Sequence, residues 1–108
     1  MMTREEFQLL LTTIIIPEVR RISNAGQTEY TLKDDALDNF NRLSDQLGID
    51  REIILWVYLQ KHLDGIVTHL RGNISQREPV VGRITDAIVY LCLLWAMTME
   101  SKGGMNYE

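Results

Sequence analysis

Apolar residues recur along the chain at intervals of three and four, and no stretch alternates long enough to mark a half-buried strand. The pattern therefore predicts an all-α protein. The first amphipathic segment runs from about Thr3 to Ser23, with Phe7, Leu10, Leu11, Ile14, Ile15, Val19 and Ile22 on one stripe and Thr3 placed to cap it. Pro17 falls inside this segment. Proline has no amide hydrogen and disfavours the α conformation at Ile16, so the helix is expected to kink, or to stop and restart, at that point. Asn24-Ala25-Gly26 reads as its stop and the polar run to Tyr30 as a loop. A second helix is expected from Thr31-Leu32-Lys33-Asp34, a hydroxyl followed by acids suited to the positive end of the helix dipole. Its stripe is Ala36, Leu37, Phe40, Leu43 and Leu47, and Gly48 ends it. Asp50 is placed to cap a third helix from about Arg51 to Leu70, closed by Arg71-Gly72-Asn73. A short polar loop through Ser75 leads to Glu78-Pro79, where proline at a first helical position opens a fourth helix lasting to about Glu100. Gly103-Gly104 ends that helix, and residues 103–108 are expected to fray.

Four helices in 108 residues form one domain, a four-helix bundle-like unit over 1–108 whose N-terminal helix, residues 1–24, carries the Pro17 kink. The fourth helix is apolar nearly all round from Ala87 to Met97, more than one-sided packing in so small a domain can bury. A homo-oligomer made through this apolar C-terminal helix, at Val89, Leu93 and Ala96 or their neighbours, is the expected cover. The eleven-residue apolar run falls short of the roughly 20 residues of a membrane-crossing helix, so no membrane association is expected. The lone Cys92 excludes an intramolecular disulfide and is expected to be a small buried hydrophobe. With no export-signal pattern at the N-terminus, the expected location is cytoplasmic. Eleven basic against fifteen acidic residues give a net charge of −4, which disfavours duplex nucleic acid as a partner. A small anionic ligand needs only a few converging cations and remains compatible with that charge.

Those cations sit in stripes. Lys61, Asp64, Thr68 and Arg71 share one face of the third helix, Arg83, Asp86 and Tyr90 one face of the fourth, and Asp35, Asn39 and Arg42 one face of the second. Facing stripes on neighbouring antiparallel helices would make a groove of cations, carboxylates and hydroxyls suited to phosphate and ribose. The plain alternative is pairing of surface charges, Lys61 with Asp64 and Arg83 with Asp86. Tyr30, Phe40, Trp56, Tyr58 and Tyr90 offer flat faces for a nucleobase. Of these, Phe40 and Trp56 are expected in the core, and Tyr30, at a loop-to-helix junction, against a ligand. His62 and His69 lie nearly two helical turns apart, too far to chelate one metal alone. No serine or cysteine stands beside a base, and there is no glycine-rich phosphate loop.

The run from Tyr30 through Thr31-Leu32-Lys33-Asp34-Asp35-Ala36-Leu37-Asp38-Asn39-Phe40-Asn41-Arg42 to Leu43, then Lys61 with Asp64, then Arg83-Ile84-Thr85-Asp86-Ala87-Ile88-Val89-Tyr90, resembles small phage-encoded nucleotide-modification-associated proteins. These are similar in layout to the all-α nucleoside triphosphate pyrophosphatases of MazG type, and the likeness covers about residues 30–100. The resemblance implies two acidic pairs on facing helices that hold magnesium against a triphosphate. Asp35 and Asp38 stand for one pair as the metal residues, but Lys61 and Asp64 stand where the second belongs, with Asp86 able to add an oxygen. A lysine there repels a dication unless it serves the phosphate.

Two functions follow. In the first, the chain binds and sequesters a nucleotide or cyclic nucleotide signal without cleaving it, similar in general design to viral anti-defence sponge proteins. That reading uses Tyr30, Asn39, Arg42, Lys61, Asp64, Arg71, Arg83, Asp86 and Tyr90 around the ligand, with no catalytic residue and no cofactor. In the second, it is a magnesium-dependent nucleotide pyrophosphohydrolase with Asp35 and Asp38 on the metal. An oligomeric interaction protein without a small ligand is the third reading.

Overall fold

A computed structural model describes residues 1–30, 34–73 and 78–101. They form α1 (Arg4–Leu10), a π-helical turn (Leu11–Ile15), α2 (Ile16–Tyr30), α3 (Asp38–Leu47), α4 (Arg51–Leu70) and α5 (Val80–Ser101). Because α1, the π turn and α2 are continuous, the described residues make a single-domain, all-α bundle of four helices with a long apolar helix at its C-terminal end.

The N-terminal helix begins as its sequence dictates, with the Thr3 hydroxyl accepting the Glu6 amide at 3.0 Å. Pro17 does not interrupt it. The π turn just before it widens the helix, so that the Ile16 amide reaches five residues back to the Leu11 carbonyl. The changed register accommodates a ring that would crowd the carbonyl four residues earlier in a regular α-helix. Thr12 and Thr13 back-bond the Gln8 and Leu9 carbonyls at 3.0 and 2.7 Å in the same region. Nor does Asn24-Ala25-Gly26 end the helix, which runs on to Tyr30. Here tertiary packing outweighs the cost of a helical glycine, about 1 kcal/mol, because α2 lies against α5. The Thr28 hydroxyl donates to the Asn24 carbonyl at 3.0 Å, and the Gln27 amide group donates to the Ala36 carbonyl at 3.1 Å, tying the helix to the segment before α3.

The start expected at Thr31-Leu32-Lys33 lies outside the described residues, as do Ser75, Gly103-Gly104 and the tail 103–108. Helix α3 begins only at Asp38, after a turn organised by Asp35. The Asp35 carboxylate accepts the Leu37 amide at 3.0 Å and the Asn41 side-chain amide at 3.4 Å, and its carbonyl accepts the Asp38 amide at 3.1 Å. Gly48, at φ 67° and ψ 31°, ends α3 in the left-handed conformation that favours glycine. Helix α4 has the bounds its pattern predicts. Asp50 occupies its N-cap position but makes no side-chain capping bond; its carbonyl accepts the Ile53 and Ile54 amides at 3.0 and 3.2 Å. Gly72, at φ 98°, closes α4, and the Asn73 amide reaches back to the Thr68 carbonyl at 3.2 Å.

Helices α4 and α5 pack antiparallel: Arg51 at the start of α4 meets Met97 and Glu100 at the end of α5, while His62, further along α4, meets Asp86 near the start of α5. Leu37 and Phe40 add to Ile54, Leu55 and Met97 to make the buried core, with Leu43, Tyr90, Leu93 and Leu94 packed around it. Two sequence expectations fail on the outside of this pair. Trp56 is 49% exposed instead of buried and Cys92 is exposed; Val89 and Leu93, on the inner side of α5, line a groove shared with α2. Helical phase accounts for both, because α4 turns its packed faces to α3 and α5 and α5 turns its own to α4 and α2, which leaves Trp56 on α4 and Cys92 on α5 outside, together with Val81, Ile84, Leu91 and Trp95. By length and composition α5 is apolar enough to cross a membrane; in this fold its inner faces pack on α4 and α2.

Arg51 ties three helices together. Its guanidinium donates to Asn41 Oδ1 at 3.0 Å, Glu100 Oε1 at 2.7 Å and the Met97 carbonyl at 3.3 Å. Glu100 is well exposed, so the pair with it contributes little, and the half-buried bonds to Asn41 and Met97 dominate. Arg51→Met is expected to lower stability by about 1.5–3 kcal/mol in urea unfolding while leaving the helical signal of the folded state unchanged.

Candidate functional site

A groove opens where α2, α4 and α5 converge, with α3 along its rim. Its inner compartment, of about 400 Å³, is lined by Gly26 and Gln27 from α2, Asn39 and Phe40 from α3, Lys61 and His62 from α4, Glu78, and Asp86 and Tyr90 from α5. An outer compartment of about 660 Å³ is lined by Asn39, Arg42, Leu43, Val57, Tyr58, Lys61, His62 and Tyr90. Asn39, Lys61, His62 and Tyr90 belong to both and form the boundary.

His62 is the buried member of this boundary, 7% exposed. Its Nδ1 lies 3.6 Å from Asp86 Oδ2 and has no hydrogen-bond partner among the described residues. A nitrogen of His62 and carboxylate oxygens of Glu78 and Asp86 all lie within 4.8 Å of one another. Burial holds the imidazole below its ordinary pKa; the Asp86 carboxylate opposes this, the Lys61 ammonium reinforces it, and, more weakly, Glu78 opposes and Arg83 reinforces it. His62 is therefore neutral near pH 7 and keeps a lone pair to offer. One imidazole and two carboxylates form a donor set for a divalent cation.

Behind this cluster Arg83 Nη1 lies 3.9 Å from Glu78 Oε2, and Arg83 Nε is buried without a hydrogen-bond partner among the described residues. Arg83 fits because position 65 has no side chain: a Cβ on Gly65 would overlap the Arg83 Cδ, Nε and Cζ. The guanidinium therefore depends on a glycine of the facing helix for its place.

The polar stripes read from the sequence divide. Asn39, Lys61, Asp86 and Tyr90 gather on the inner compartment, Arg42 joins the outer one, and Arg83 backs Glu78. Asp64 and Arg71 are exposed and line neither compartment, and Thr68 back-bonds the Asp64 carbonyl at 2.8 Å. The Tyr30 side chain lies outside the described residues. Asp35 organises the turn before α3, and buried Asp38 pairs with Arg42, its Oδ2 lying 3.1 Å from Nε. Among the described residues, neither belongs to the cation-sized group, which is His62, Glu78 and Asp86. No family model, curated protein or solved structure matches the chain. The all-α fold and the His/Glu/Asp cluster, compatible with a bound ligand or metal, are thus read from this chain alone.

His62 and Glu78 escaped the sequence analysis. His62 was weighed only against His69 on its own helix, and Glu78 only as the residue before a helix-opening proline. What unites them with Asp86 is the antiparallel register of α4 on α5, which no spacing within one helix encodes.

Two outcomes follow from this geometry. The unfolded chain binds a proton near pH 6.5 that the folded chain resists, so stability is full above that value and falls as the pH drops through and below it. With a chelator present, the urea midpoint is expected to fall between about pH 7.5 and pH 5.5, and His62→Gln to flatten that slope. Gly65→Ala must displace Arg83 and is expected to cost about 1–3 kcal/mol by the same measurement, as an overpacked contact does.

Proposed function

We propose that the groove binds a nucleotide around a divalent cation held by His62, Glu78 and Asp86 and hydrolyses its phosphoanhydride, the reaction class of a nucleotide pyrophosphohydrolase. The observation that carries this reading is the buried His62 Nδ1, without a hydrogen-bond partner among the described residues and grouped with two carboxylates on the inner compartment of the groove. An imidazole among the donors suits manganese or zinc better than magnesium, which prefers oxygen ligands. The metal expected from the resemblance to MazG-type enzymes thus changes in kind, and its seat moves away from Asp35 and Asp38. Such a cation neutralises phosphate charge and lowers the pKa of a bound water. Lys61 supplies a point charge to the phosphates, and the Asn39 amide and Tyr90 hydroxyl supply polar groups at the boundary.

A second reading, sequestration without cleavage, is favoured by one contact. The Arg83 guanidinium leans on Glu78 and competes with a metal for that carboxylate, and Lys61 adds another positive charge to the same compartment. One experiment separates the two: incubate the protein with manganese, zinc or magnesium and a panel of linear and cyclic nucleotides, heat-denature it, and chromatograph the supernatant. Monophosphate and pyrophosphate accumulating over many turnovers, and lost in His62→Gln and Asp86→Asn, support hydrolysis. Intact nucleotide depleted from solution and released on heating establishes sequestration instead.

A second copy of the chain belongs to the same proposal. Val81, Ile84, Ile88, Leu91 and Trp95 follow one another at spacings of 3, 4, 3 and 4, the repeat of a helix–helix seam. Light scattering at micromolar concentration is expected to exceed the 12.5 kDa of one chain; a monomer would refute this part.

A further inference from the structure

The two compartments differ in chemistry, and that difference assigns the ends of a ligand. The inner compartment holds the carboxylates of Glu78 and Asp86. The outer one has apolar and aromatic walls, Leu43, Val57 and Tyr58, and its added cation, Arg42, already faces the buried Asp38 carboxylate at 3.1 Å. A guanidinium compensated in this way attracts a phosphate weakly. The outer space is suited instead to a flat, weakly polar ring, and about 660 Å³ lies within the ordinary range of small-molecule pockets.

An aromatic row leads from one compartment to the other. Tyr58 packs on Phe40 with centroids 5.9 Å apart, Phe40 meets Tyr90 edge-on at 6.4 Å, and Tyr90 lies 5.4 Å from the His62 ring. Phe40 is 2% exposed and fixed in the core, whereas Tyr58 is 41% exposed. Tyr58 is thus an anchored ring that still presents surface to the outer compartment. Anchoring reduces the entropy lost when a base stacks on it.

We infer that the outer compartment seats the nucleobase, stacked on Tyr58 beside Val57, so that the phosphates cross the Asn39–Lys61–Tyr90 boundary toward His62, Glu78 and Asp86. This assignment rests on the proposed nucleotide-and-metal reading and adds direction to it: the ligand lies along the groove, base outward and phosphates inward. Base stacking on an exposed aromatic side chain contributes on the order of a tenfold change in affinity, equivalent to about 1.4 kcal/mol.

Calorimetry with two kinds of probe tests the assignment, in the presence and absence of manganese. One probe is inorganic tripolyphosphate, which has no base; the other is the set of ribo- and deoxyribonucleoside triphosphates. At least one nucleoside triphosphate is expected to bind about tenfold or more tightly than tripolyphosphate. Tyr58→Ala is expected to erase that margin without changing tripolyphosphate affinity, and Tyr58→Phe to retain it. Val57→Trp, at a position 61% exposed and therefore harmless to the core, is expected to block the nucleotides and spare tripolyphosphate, which keeps the test decisive if Tyr58→Ala fails to fold. Asp86→Asn weakens both probes alike. Nucleoside triphosphates that bind no tighter than tripolyphosphate, or a margin that survives both Tyr58→Ala and Val57→Trp, overturn the assignment. A Tyr58-dependent margin that is indifferent to manganese and to Asp86→Asn overturns the metal reading and leaves the base seat standing.

Discussion

The antiparallel contact of α4 with α5 is the constraint on which the rest of the structure depends. At one end it places Arg51 beside Met97 and Glu100 and buries Leu55 and Met97 in one core, and toward the other end it brings His62 to Asp86 and Arg83 over Gly65. A slip of one helical turn, about 5.4 Å, would break the Arg51 contacts and separate His62 from Asp86 together. Stability and site therefore share a register. The overlap that any Cβ at position 65 would make with Arg83 is part of what defines it.

The site works against the stability that surrounds it. A buried imidazole nitrogen without a hydrogen-bond partner costs about 1–3 kcal/mol, and His62 carries that cost beside two carboxylates and two cations. Packing alone would be better served by a leucine. Burial is the largest influence on the ring, with the neighbouring carboxylates and cations pulling in opposite directions, so the imidazole stays neutral, the protonation state a metal ligand requires. Phe40 supports this arrangement from the core: its ring contacts both Tyr58 and Tyr90, and Tyr90 in turn lies against His62. The N-terminal end is different in kind, since neither α1 nor the π turn contains a buried residue. Its helix is held by local devices, the Thr3 cap and the Thr12 and Thr13 back-bonds, and contributes nothing to the core.

Local chemistry in the sequence determined the all-α class, the bounds of α4, the glycine stops at Gly48 and Gly72 and the Thr3 cap, because each depends on residues within one or two turns. It also selected Asn39, Lys61, Asp86 and Tyr90 as residues sharing polar faces, and the groove contains them. Only the tertiary structure decided the rest. Gly26 stays helical because α2 has α5 to lie against, and Trp56 and Cys92 face outward because the helices that meet leave those phases uncovered. Periodicity states which side chains share a face of one helix, not which faces meet or in what register. Asp64 and Arg71, on the same sequence stripe as Lys61, therefore ended outside the groove, while His62 and Glu78, which no stripe contained, joined Asp86 inside it.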